Sequence, residues 1–237
     1  MRSVCMATYN GEKYIREQLD SILPQLRDDD ELIVSDDAST DATLDIVKSY
    51  GDPRIKIFNN ADHGVAHNFE NALRQSSGDI IFFADQDDVW LPGKLDKMEK
   101  FLKDGGYDTI LCNCSRTDAD LNVVKERHFD KDWPMKKALW RNLLNNCWLG
   151  SCMAFTREVK EACLPFPPKA VAHDLWISYY SQVHFRCGYQ DEVLQLYRRH
   201  EGTVSFTGGK SKNSLYYRIS YRLYLAWHLF CSIFCKR

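Results

Sequence analysis

The fold is decided by the stretch Asp79-Ile80-Ile81-Phe82-Phe83-Ala84-Asp85-Gln86-Asp87-Asp88, in which an apolar run leads directly into closely spaced carboxylates. A strand that is apolar at consecutive positions is buried on both faces, which is typical of a parallel sheet covered by helices. In open sheets of this kind, ligands collect at the carboxyl ends of the strands. The stretch therefore predicts an α/β fold with ligand-binding residues directly after its strands.

The segments before this stretch repeat the same order of a short strand and an amphipathic helix. Strands are predicted at residues 3–7, 31–35, 55–58 and 109–116, in addition to 79–84. Further helices are predicted at residues 93–103, 135–144, 157–163 and 174–182. The alternation predicts a Rossmann-like, mostly parallel central sheet flanked by helices, with a helical C-terminal extension.

Charge and cysteine content limit the class of partner and the compartment. With 31 Lys and Arg against 33 Asp and Glu, the chain has no overall basic field, so we expect no nucleic acid partner. The nine cysteines lack the paired spacing of zinc sites, and the first residues do not form a signal peptide. We therefore expect reduced thiols and a cytoplasmic protein.

The end of the chain is unusually rich in aromatic and aliphatic residues. Residues 216–235 are interrupted by Arg218, Arg222 and His228, and no run of about 18 apolar residues occurs. Such a segment is typical of a helix on a membrane surface, here the inner face, but also of a packed C-terminal helix or a partner contact.

Polar residues follow each of the first three predicted strands. They are Thr8-Tyr9-Asn10-Gly11, Asp36-Asp37-Ala38-Ser39-Thr40-Asp41 and Asn59-Asn60. We expect them to share one edge of the sheet with Asp85 to Asp88. The alternative is that they are turn formers and helix caps, which is the better interpretation for Ser39, Thr40 and Asp41 taken singly.

The carboxylates from Asp85 to Asp88 repel one another unless a cation neutralises them. Oxygen ligands favour Mg²⁺ or Mn²⁺, either of which can bridge the phosphates of a nucleotide diphosphate. Clustered Asp residues alone are weak evidence, because a chain with this Asp content contains such a pattern often. Their position after a buried strand is the specific signal.

The order of these motifs resembles that of family 2 glycosyltransferases of the GT-A fold, over about residues 2–205. The resemblance rests on Thr8-Tyr9-Asn10-Gly11, Asp36-Asp37-x-Ser39, Gly78-Asp79 before Asp85-Gln86-Asp87-Asp88, and His173-Asp174. It implies that Asp37 contacts the nucleoside, that the Asp85 to Asp88 region holds metal and diphosphate, and that Asp174 is the catalytic base. The nucleotide-sugar-binding residues it implies are Thr8, Tyr9, Asn10, Asp37, Asp85, Gln86, Asp87 and Arg198.

A second indication of a functional site is the basic segment at residues 196–205, which contains Tyr197-Arg198-Arg199-His200. On composition alone it is either a phosphate-binding loop or a solvated turn. It is similar to the closing loop of the rhamnosyltransferase-like branch of the family, which implies that Arg198 and His200 cover the donor diphosphate and metal. The resemblance makes dTDP-rhamnose the first donor to consider and a UDP-hexose the second.

The role of Asp174 as a catalytic base is also supported by chemistry that does not depend on the resemblance. A sugar hydroxyl is a poor nucleophile, and a carboxylate that accepts its proton is the simplest means of activation. At the start of a predicted helix, Asp174 has the N-cap role as its alternative.

These residues together predict a metal-dependent, inverting glycosyltransferase of cell-surface polysaccharide synthesis, with a glycan or polyprenyl-linked acceptor. The metal ligands would be Asp87, Asp88 and His200. A nucleotidyltransferase and a non-catalytic nucleotide-sugar-binding protein are the alternatives. The predicted division is a catalytic domain at 1–205, with a nucleotide-sugar half at 1–115 and an acceptor half at 116–205, followed by an amphipathic tail at 206–237.

Overall fold

The computed structural model describes residues 1–130, 148–200 and 215–234 of the 237-residue chain. The helix predicted at 135–144 lies outside the described residues. The described strands are β1 Arg2–Thr8, β2 Glu31–Asp36, β3 Ile55–Asn59, β4 Ile80–Asp85, β5 Val89–Trp90, β6 Thr109–Thr117, β7 Val123–Lys125, β8 Met153–Thr156 and β9 Cys187–Arg198. The described helices are α1 Ile15–Ile22, α2 Thr43–Ser49, α3 Val65–Gln75, α4 Lys94–Gly105, α5 Arg157–Cys163, α6 His173–His184 and α7 Leu215–Phe234.

All described strands belong to one sheet, in the order β3-β2-β1-β4-β8-β6-β9-β5, with β7 on β6. β1 pairs in parallel with β2 and β4, and β2 pairs in parallel with β3. Beyond β4 the sheet is mixed, because β8 is antiparallel to β4 and β6 whereas β9 is parallel to β6. The predicted α/β fold with its C-terminal helix is confirmed.

The strand predicted at residues 109–116 is confirmed as β6. The strands β5, β7, β8 and β9 were not predicted, and β9 is the longest of these four. It has 12 residues, pairs with β6 on one side and β5 on the other, and shifts register against β6 near Asn113. Its sequence Cys-Gly-Tyr-Gln-Asp-Glu-Val-Leu-Gln-Leu-Tyr-Arg lacks the alternation of a half-buried strand. Pairing on both edges stabilises this strand despite that weak pattern.

The register of the parallel strands determines where the polar strand ends lie. Thr8 is paired with Asp36, Asp36 with Asn59, and Ala7 with Asp85. The loops that follow β1, β2, β3 and β4 therefore leave the sheet at the same edge, as the sequence predicts.

The core lies on both faces of β4. Ile81, Phe82, Phe83 and Ala84 are fully buried, with Phe69 of α3 edge-on to Phe83 at a ring-centre distance of 4.9 Å. Each buried side chain of this size contributes roughly 1.5–3 kcal/mol relative to an exposed one. The strand that carries the acidic cluster is thus held in the apolar core of the described chain.

The start of β1 is fixed by a buried ion pair between Arg2 and Asp30. The Arg2 guanidinium donates to Asp30 at 2.7 Å, the Arg2 backbone N–H donates to the same carboxylate at 2.8 Å, and both side chains are at most 1% exposed. Burial opposes ionisation of Asp30, but hydrogen bonds from Arg2 and Arg27 hold the pKa of its carboxyl below the ordinary value. The pair fixes the loop between α1 and β2 to the first strand.

The C-terminal helix α7 packs against α6. Within the described ranges, no helix is both long enough and apolar enough to cross a membrane.

Replacing Asp30 by Ala should destabilise the protein strongly, because Arg2 then stays buried without its one fully buried carboxylate and keeps the exposed Asp96 as its closest acidic partner. We expect a loss of about 3–5 kcal/mol in the free energy of unfolding, measured by urea denaturation. The double variant Arg2→Met/Asp30→Leu should recover most of this loss.

Asp104→Ala is the matched control, because Asp104 pairs with Lys100 on the exposed surface of α4. This substitution should leave the urea midpoint almost unchanged. A similarly small change for Asp30→Ala would contradict the anchoring role of the buried pair.

Candidate active site

The loops that follow β1 and β4 are joined by the side chain of Gln86. Its amide accepts the backbone N–H of Tyr9 and donates to the backbone oxygen of Tyr9, both at 2.9 Å. A Cβ at Gly11 would lie 2.3 Å from Gln86 Oε1, so glycine is required for this close approach. Gln86 therefore holds the first loop in place, while the ring of Tyr9 stays 57% exposed at the sheet edge.

The loops that follow β1 and β2 are joined by Asn10. Its side-chain oxygen accepts the N–H of Thr40 at 2.8 Å, and its backbone N–H donates to Ser39 Oγ at 2.9 Å. Asn10 has a positive φ of 45°, a conformation that Asn adopts more readily than most residues. The predicted ligand residues Tyr9 and Asn10 are thus positioned by the strand-end loops on either side.

The two neighbouring acids at the end of β2 have different surroundings. Asp36 is buried and accepts hydrogen bonds from Thr8 Oγ1 at 2.7 Å and from Ser39 Oγ at 2.6 Å. Ser39 is therefore used within the loop, and the prediction that Ser39 and Thr40 cap the next helix is wrong, because α2 has Ala42 as its N-cap. Asp41 instead accepts the N–H of Thr43 at 3.0 Å.

Asp37 lies at the edge of the sheet, where its carboxylate is partly exposed. It accepts hydrogen bonds from Asn60 Nδ2 at 2.9 Å and the N–H of Gly64 at 2.8 Å, and lies 3.1 Å from His63 Nδ1. These donors come from the loop between β3 and α3. The carboxylate that the resemblance assigns to the nucleoside is therefore oriented by the neighbouring loop.

Asp85, Asp87 and Asp174 are brought close enough to interact electrostatically. Burial raises the pKa of the Asp85 carboxyl to about 7, and the neighbouring charges of Asp87 and Asp174 act in the same direction. Asp174 is distant in sequence and reaches this cluster on the first turn of α6. The fold thus collects three predicted site residues around one point of high negative charge.

Asp174 is not the N-cap of its helix. That position is Ala172, which has an extended backbone and makes no side-chain cap hydrogen bond, and Asp174 is the second residue of α6. The alternative interpretation of Asp174 as a plain N-cap is therefore wrong, whereas its role as a base stays a prediction.

Asp88 differs from its neighbours because it is fully buried. One of its carboxylate oxygens accepts the backbone N–H of Arg198 at 3.0 Å, and the other accepts from Gln195 Nε2 at 3.0 Å. Burial and the charges of Asp87 and Asp85 raise the pKa of its carboxyl well above the ordinary value. These contacts connect the acidic loop to β9, and the metal-ligand role of Asp88 stays a prediction.

Sequence reasoning missed a buried lysine beneath this cluster. Lys94 Nζ donates to the backbone oxygen of Ser151 at 2.8 Å and to the side chain of Gln195, and lies 4.1 Å from the ring centre of Trp90. One signal was present, because Lys94 is the first residue of α4, where the helix dipole disfavours a positive charge. The positive charge of Lys94 opposes the rise in the pKa of the Asp85 carboxyl that burial causes.

The guanidinium of Arg198 is almost fully buried and has several protein partners. It donates to the backbone oxygens of Asp87 at 2.8 Å and Ala119 at 2.7 Å, forms an ion pair with Glu17, and lies 4.6 Å from the ring centre of Tyr14. In this arrangement Arg198 holds the acidic loop by its backbone. Its predicted contact with the donor diphosphate stays a prediction.

His200 and Asp87 form the part of the site that fits a cation. His200 Nε2 lies 2.8 Å from Asp87 Oδ2, and the imidazole packs on Tyr14 with ring centres 4.6 Å apart. In the part of the chain that the structure describes, no group of three His, Cys, Asp or Glu side chains has metal-binding geometry. One carboxylate and one imidazole nevertheless fit Mg²⁺ or Mn²⁺ bound with a nucleotide, since phosphates and water provide most of the ligands at such sites.

His173 precedes Asp174 and is buried in an apolar environment. Its ring stacks on Phe69 at 3.7 Å, and neither ring nitrogen has a hydrogen-bond partner among the described residues. Burial lowers the pKa of its imidazole to about 3. His173 therefore anchors the start of α6 as a neutral, aromatic side chain.

Comparison with known proteins places this arrangement in a family. The family model of glycosyl transferase family 2 matches residues 3–163. The chain is 29% identical, over 86% of its own length and 79% of the other protein, to the Escherichia coli UDP-Glc:alpha-D-GlcNAc-diphosphoundecaprenol beta-1,3-glucosyltransferase WfgD.

Solved structures of low sequence identity have the same fold. S. aureus TarS 1-349 in complex with UDP-GlcNAc aligns with a TM-score of 0.72 at 23% identity, over 94% of this chain and 66% of the other. The mannosyltransferase PcManGT from Pyrobaculum calidifontis, in complex with GDP-Man and Mn²⁺, aligns with a TM-score of 0.61 at 22% identity, over 85% of this chain and 57% of the other. The predicted GT-A fold is confirmed, and the chain spans about two thirds or less of these two structures.

The buried His173 predicts a loss of stability in acid. Its folded pKa of about 3 lies below the ordinary value of 6.5, so the folded state binds fewer protons between these values, and stability falls as the pH drops below about 6.5. In His173→Phe this titration is absent. Between about pH 7 and pH 5, the free energy of unfolding of the wild type should fall, relative to that of the variant, by on the order of 2 kcal/mol.

The matched control is His67→Phe, which replaces a half-buried histidine of α3. If the difference in unfolding free energy between His173→Phe and the wild type did not change with pH, the pKa of His173 would be the same in the folded and unfolded states, contrary to this account.

Proposed function

Since the chain belongs to glycosyl transferase family 2, we propose that it transfers a sugar from a nucleotide diphosphate donor to a glycan or polyprenyl-linked acceptor of cell-surface polysaccharide synthesis. The observation that carries this proposal is that the charge of Asp174, like that of Asp87, acts on the Asp85 carboxyl at the end of β4. An acid from the second half of the chain at the predicted donor site is what an acceptor-activating base requires.

The donor site is formed by the loops that follow β1 and β2. Tyr9 offers an exposed aromatic ring for stacking, and Asp37 offers a carboxylate to the hydroxyls or amides of a nucleoside. Thr8, Asn10 and Gln86 act in the proposal mainly by fixing these loops, because their polar groups bond to Asp36, Thr40 and Tyr9. Donor affinity then depends on loop geometry as much as on direct contacts.

A UDP-hexose is the first donor we propose. It is supported by the name of the E. coli relative, which specifies UDP-Glc, and by the TarS structure with UDP-GlcNAc. The rhamnosyltransferase-like pattern around Arg198 and His200 keeps dTDP-rhamnose as the second.

In this proposal, Asp87 and His200 would hold a divalent cation at the donor site. When bound, such a cation would neutralise charge on the departing phosphates. Arg198 fixes the backbone of Asp87 from below, and Asp88 fixes the backbone of Arg198. Arg198 and Asp88 therefore position the Asp87 and His200 pair in this proposal.

The transfer step is proposed to be a single displacement. Asp174 accepts the proton of an acceptor hydroxyl while the oxygen forms a bond to the anomeric carbon and the bond to the diphosphate oxygen breaks. Attack from the face opposite the leaving group inverts the configuration. The β linkage in the name of the E. coli relative supports inversion, since nucleotide glucose donors are α-linked.

A membrane-associated acceptor is proposed because the E. coli relative is named for a diphosphoundecaprenol-linked one.

We retain the division into a catalytic unit at 1–205, with halves at 1–115 and 116–205, and a tail at 206–237. Cytoplasmic location at the inner face of the membrane belongs to the same proposal.

The proposal is tested by turnover of a panel of nucleotide sugars with Mn²⁺ or Mg²⁺, in the wild type and in Asp174→Asn. The panel includes UDP-glucose, UDP-galactose, UDP-N-acetylglucosamine and dTDP-rhamnose. We expect one donor to be turned over by the wild type. Asp174→Asn should lower kcat by about 10²–10⁴ while leaving the dissociation constant of that donor nearly unchanged.

Asp104→Asn, an exposed carboxylate on α4, is the matched control and should behave as the wild type. Asp37→Ala should act differently by weakening donor binding first. A near wild-type kcat in Asp174→Asn would refute the assigned base, and no turnover of any sugar nucleotide by the wild type would refute the proposed donor class.

A further inference from the structure

The C-terminal helix α7 has a continuous apolar side whose residues are strongly exposed. The side is formed by Ile219, Leu223, Trp227, Phe230 and Ile233, which are between 47% and 65% exposed. Their spacing of four, four, three and three residues places them on one side of a helix. We call these five residues the exposed stripe.

The stripe is not simply the core side of a loosely packed helix. The opposite side of α7 is buried through Leu225 and Leu229, which are 1% and 5% exposed. Tyr224 Oη accepts the N–H of Lys169 at 3.3 Å, and Ser232 Oγ lies 2.9 Å from His184 Nε2 at the end of α6. The helix thus has a packed apolar side and, across from it, a second apolar side exposed to solvent.

The charge of this part of the sequence differs from that of the whole chain. Overall the chain has 31 Lys and Arg and 33 Asp and Glu, whereas residues 202–237 contain six basic residues and no acidic ones. The six are Lys210, Lys212, Arg218, Arg222, Lys236 and Arg237. An aromatic, apolar surface within a purely basic segment is complementary to a surface that is apolar inside and anionic outside.

We propose that the exposed stripe binds the surface of an anionic lipid bilayer, with α7 lying along the interface. Trp227 and Phe230, whose rings stack at 6.1 Å, are of the type that enters the interfacial region. A second copy of this chain is the less favourable occupant, because a twofold contact between two α7 helices would bring like-charged segments together. A lipid bilayer is therefore the proposed binding partner of the exposed stripe.

Contact of α7 with the bilayer would also orient the site of the proposed sugar transfer. This part of the inference rests on the proposed function. α7 packs on α6, and its Tyr224 bonds to the chain at Lys169, five residues before Asp174. Membrane contact through the stripe would hold the first turn of α6 near the bilayer surface. That is where a polyprenyl-linked acceptor presents its sugar.

The test is co-sedimentation of the full chain with vesicles of phosphatidylcholine alone and of phosphatidylcholine with about a quarter phosphatidylglycerol. We expect binding to the anionic vesicles, weaker binding to the neutral ones, and loss of binding at high salt. The variant Leu223→Glu/Trp227→Glu should weaken binding to anionic vesicles by about tenfold or more.

Val124→Glu is the matched control, because Val124 is an apolar residue exposed to a similar degree, 56%, on β7. It should bind vesicles as the wild type does. Thermal unfolding of each variant checks that the fold is intact.

Absence of wild-type binding to anionic vesicles, or equal binding by folded Leu223→Glu/Trp227→Glu, would overturn the proposal. So would a wild-type dimer in lipid-free solution that this variant converts to monomer, since the stripe would then belong to a second copy. Turnover of the donor without vesicles separates the two proposals: turnover without vesicle binding overturns only the membrane contact, and vesicle binding without turnover overturns only the proposed function.

Discussion

Repulsion among the carboxylates at the ends of the parallel strands is the constraint on which the rest of the site depends. Strand register brings Asp85 to the same edge as the loops after β1 and β2, and α6 adds Asp174. Burial raises the pKa of the Asp85 carboxyl, and the neighbouring charges of Asp87 and Asp174 raise it further. A hydrogen bond from Ser151 and the positive charge of Lys94 offset part of this rise at Asp85.

The stabilising groups form a connected chain beneath the cluster. Lys94 bonds to Gln195, Gln195 bonds to Asp88, and Asp88 accepts the backbone N–H of Arg198. The guanidinium of Arg198 in turn holds the backbone of Asp87. Of the three neighbouring acids, Asp88 is thus bound within the protein, while Asp87 lies beside His200 at the surface of the site. Positions that are equivalent in the sequence pattern therefore have different contacts and different burial.

The features that sequence predicts best are those that depend on local pattern. The apolar run at 80–84 and the polar residues after each early strand were sufficient to predict the parallel strands and the edge that their polar ends share. The approach of Asp174 to Asp85 was only implied by resemblance, because no local pattern encodes a contact between distant segments. Strand β9 and the buried Lys94 were missed for the same reason, since pairing partners and a buried counter-charge are set by the tertiary fold.

The central claim is that Asp87 and His200 form an incomplete cation site that the diphosphate of the donor completes. Calorimetric titration of Mn²⁺ into the protein, with and without UDP, tests it most directly. Because coupling between two ligands is reciprocal, Mn²⁺ should bind at least about tenfold more tightly with UDP, and UDP more tightly with Mn²⁺ by the same factor. Asp87→Asn should remove most of this coupling. Equal affinity for UDP in Mn²⁺ and in excess chelator would contradict the claim.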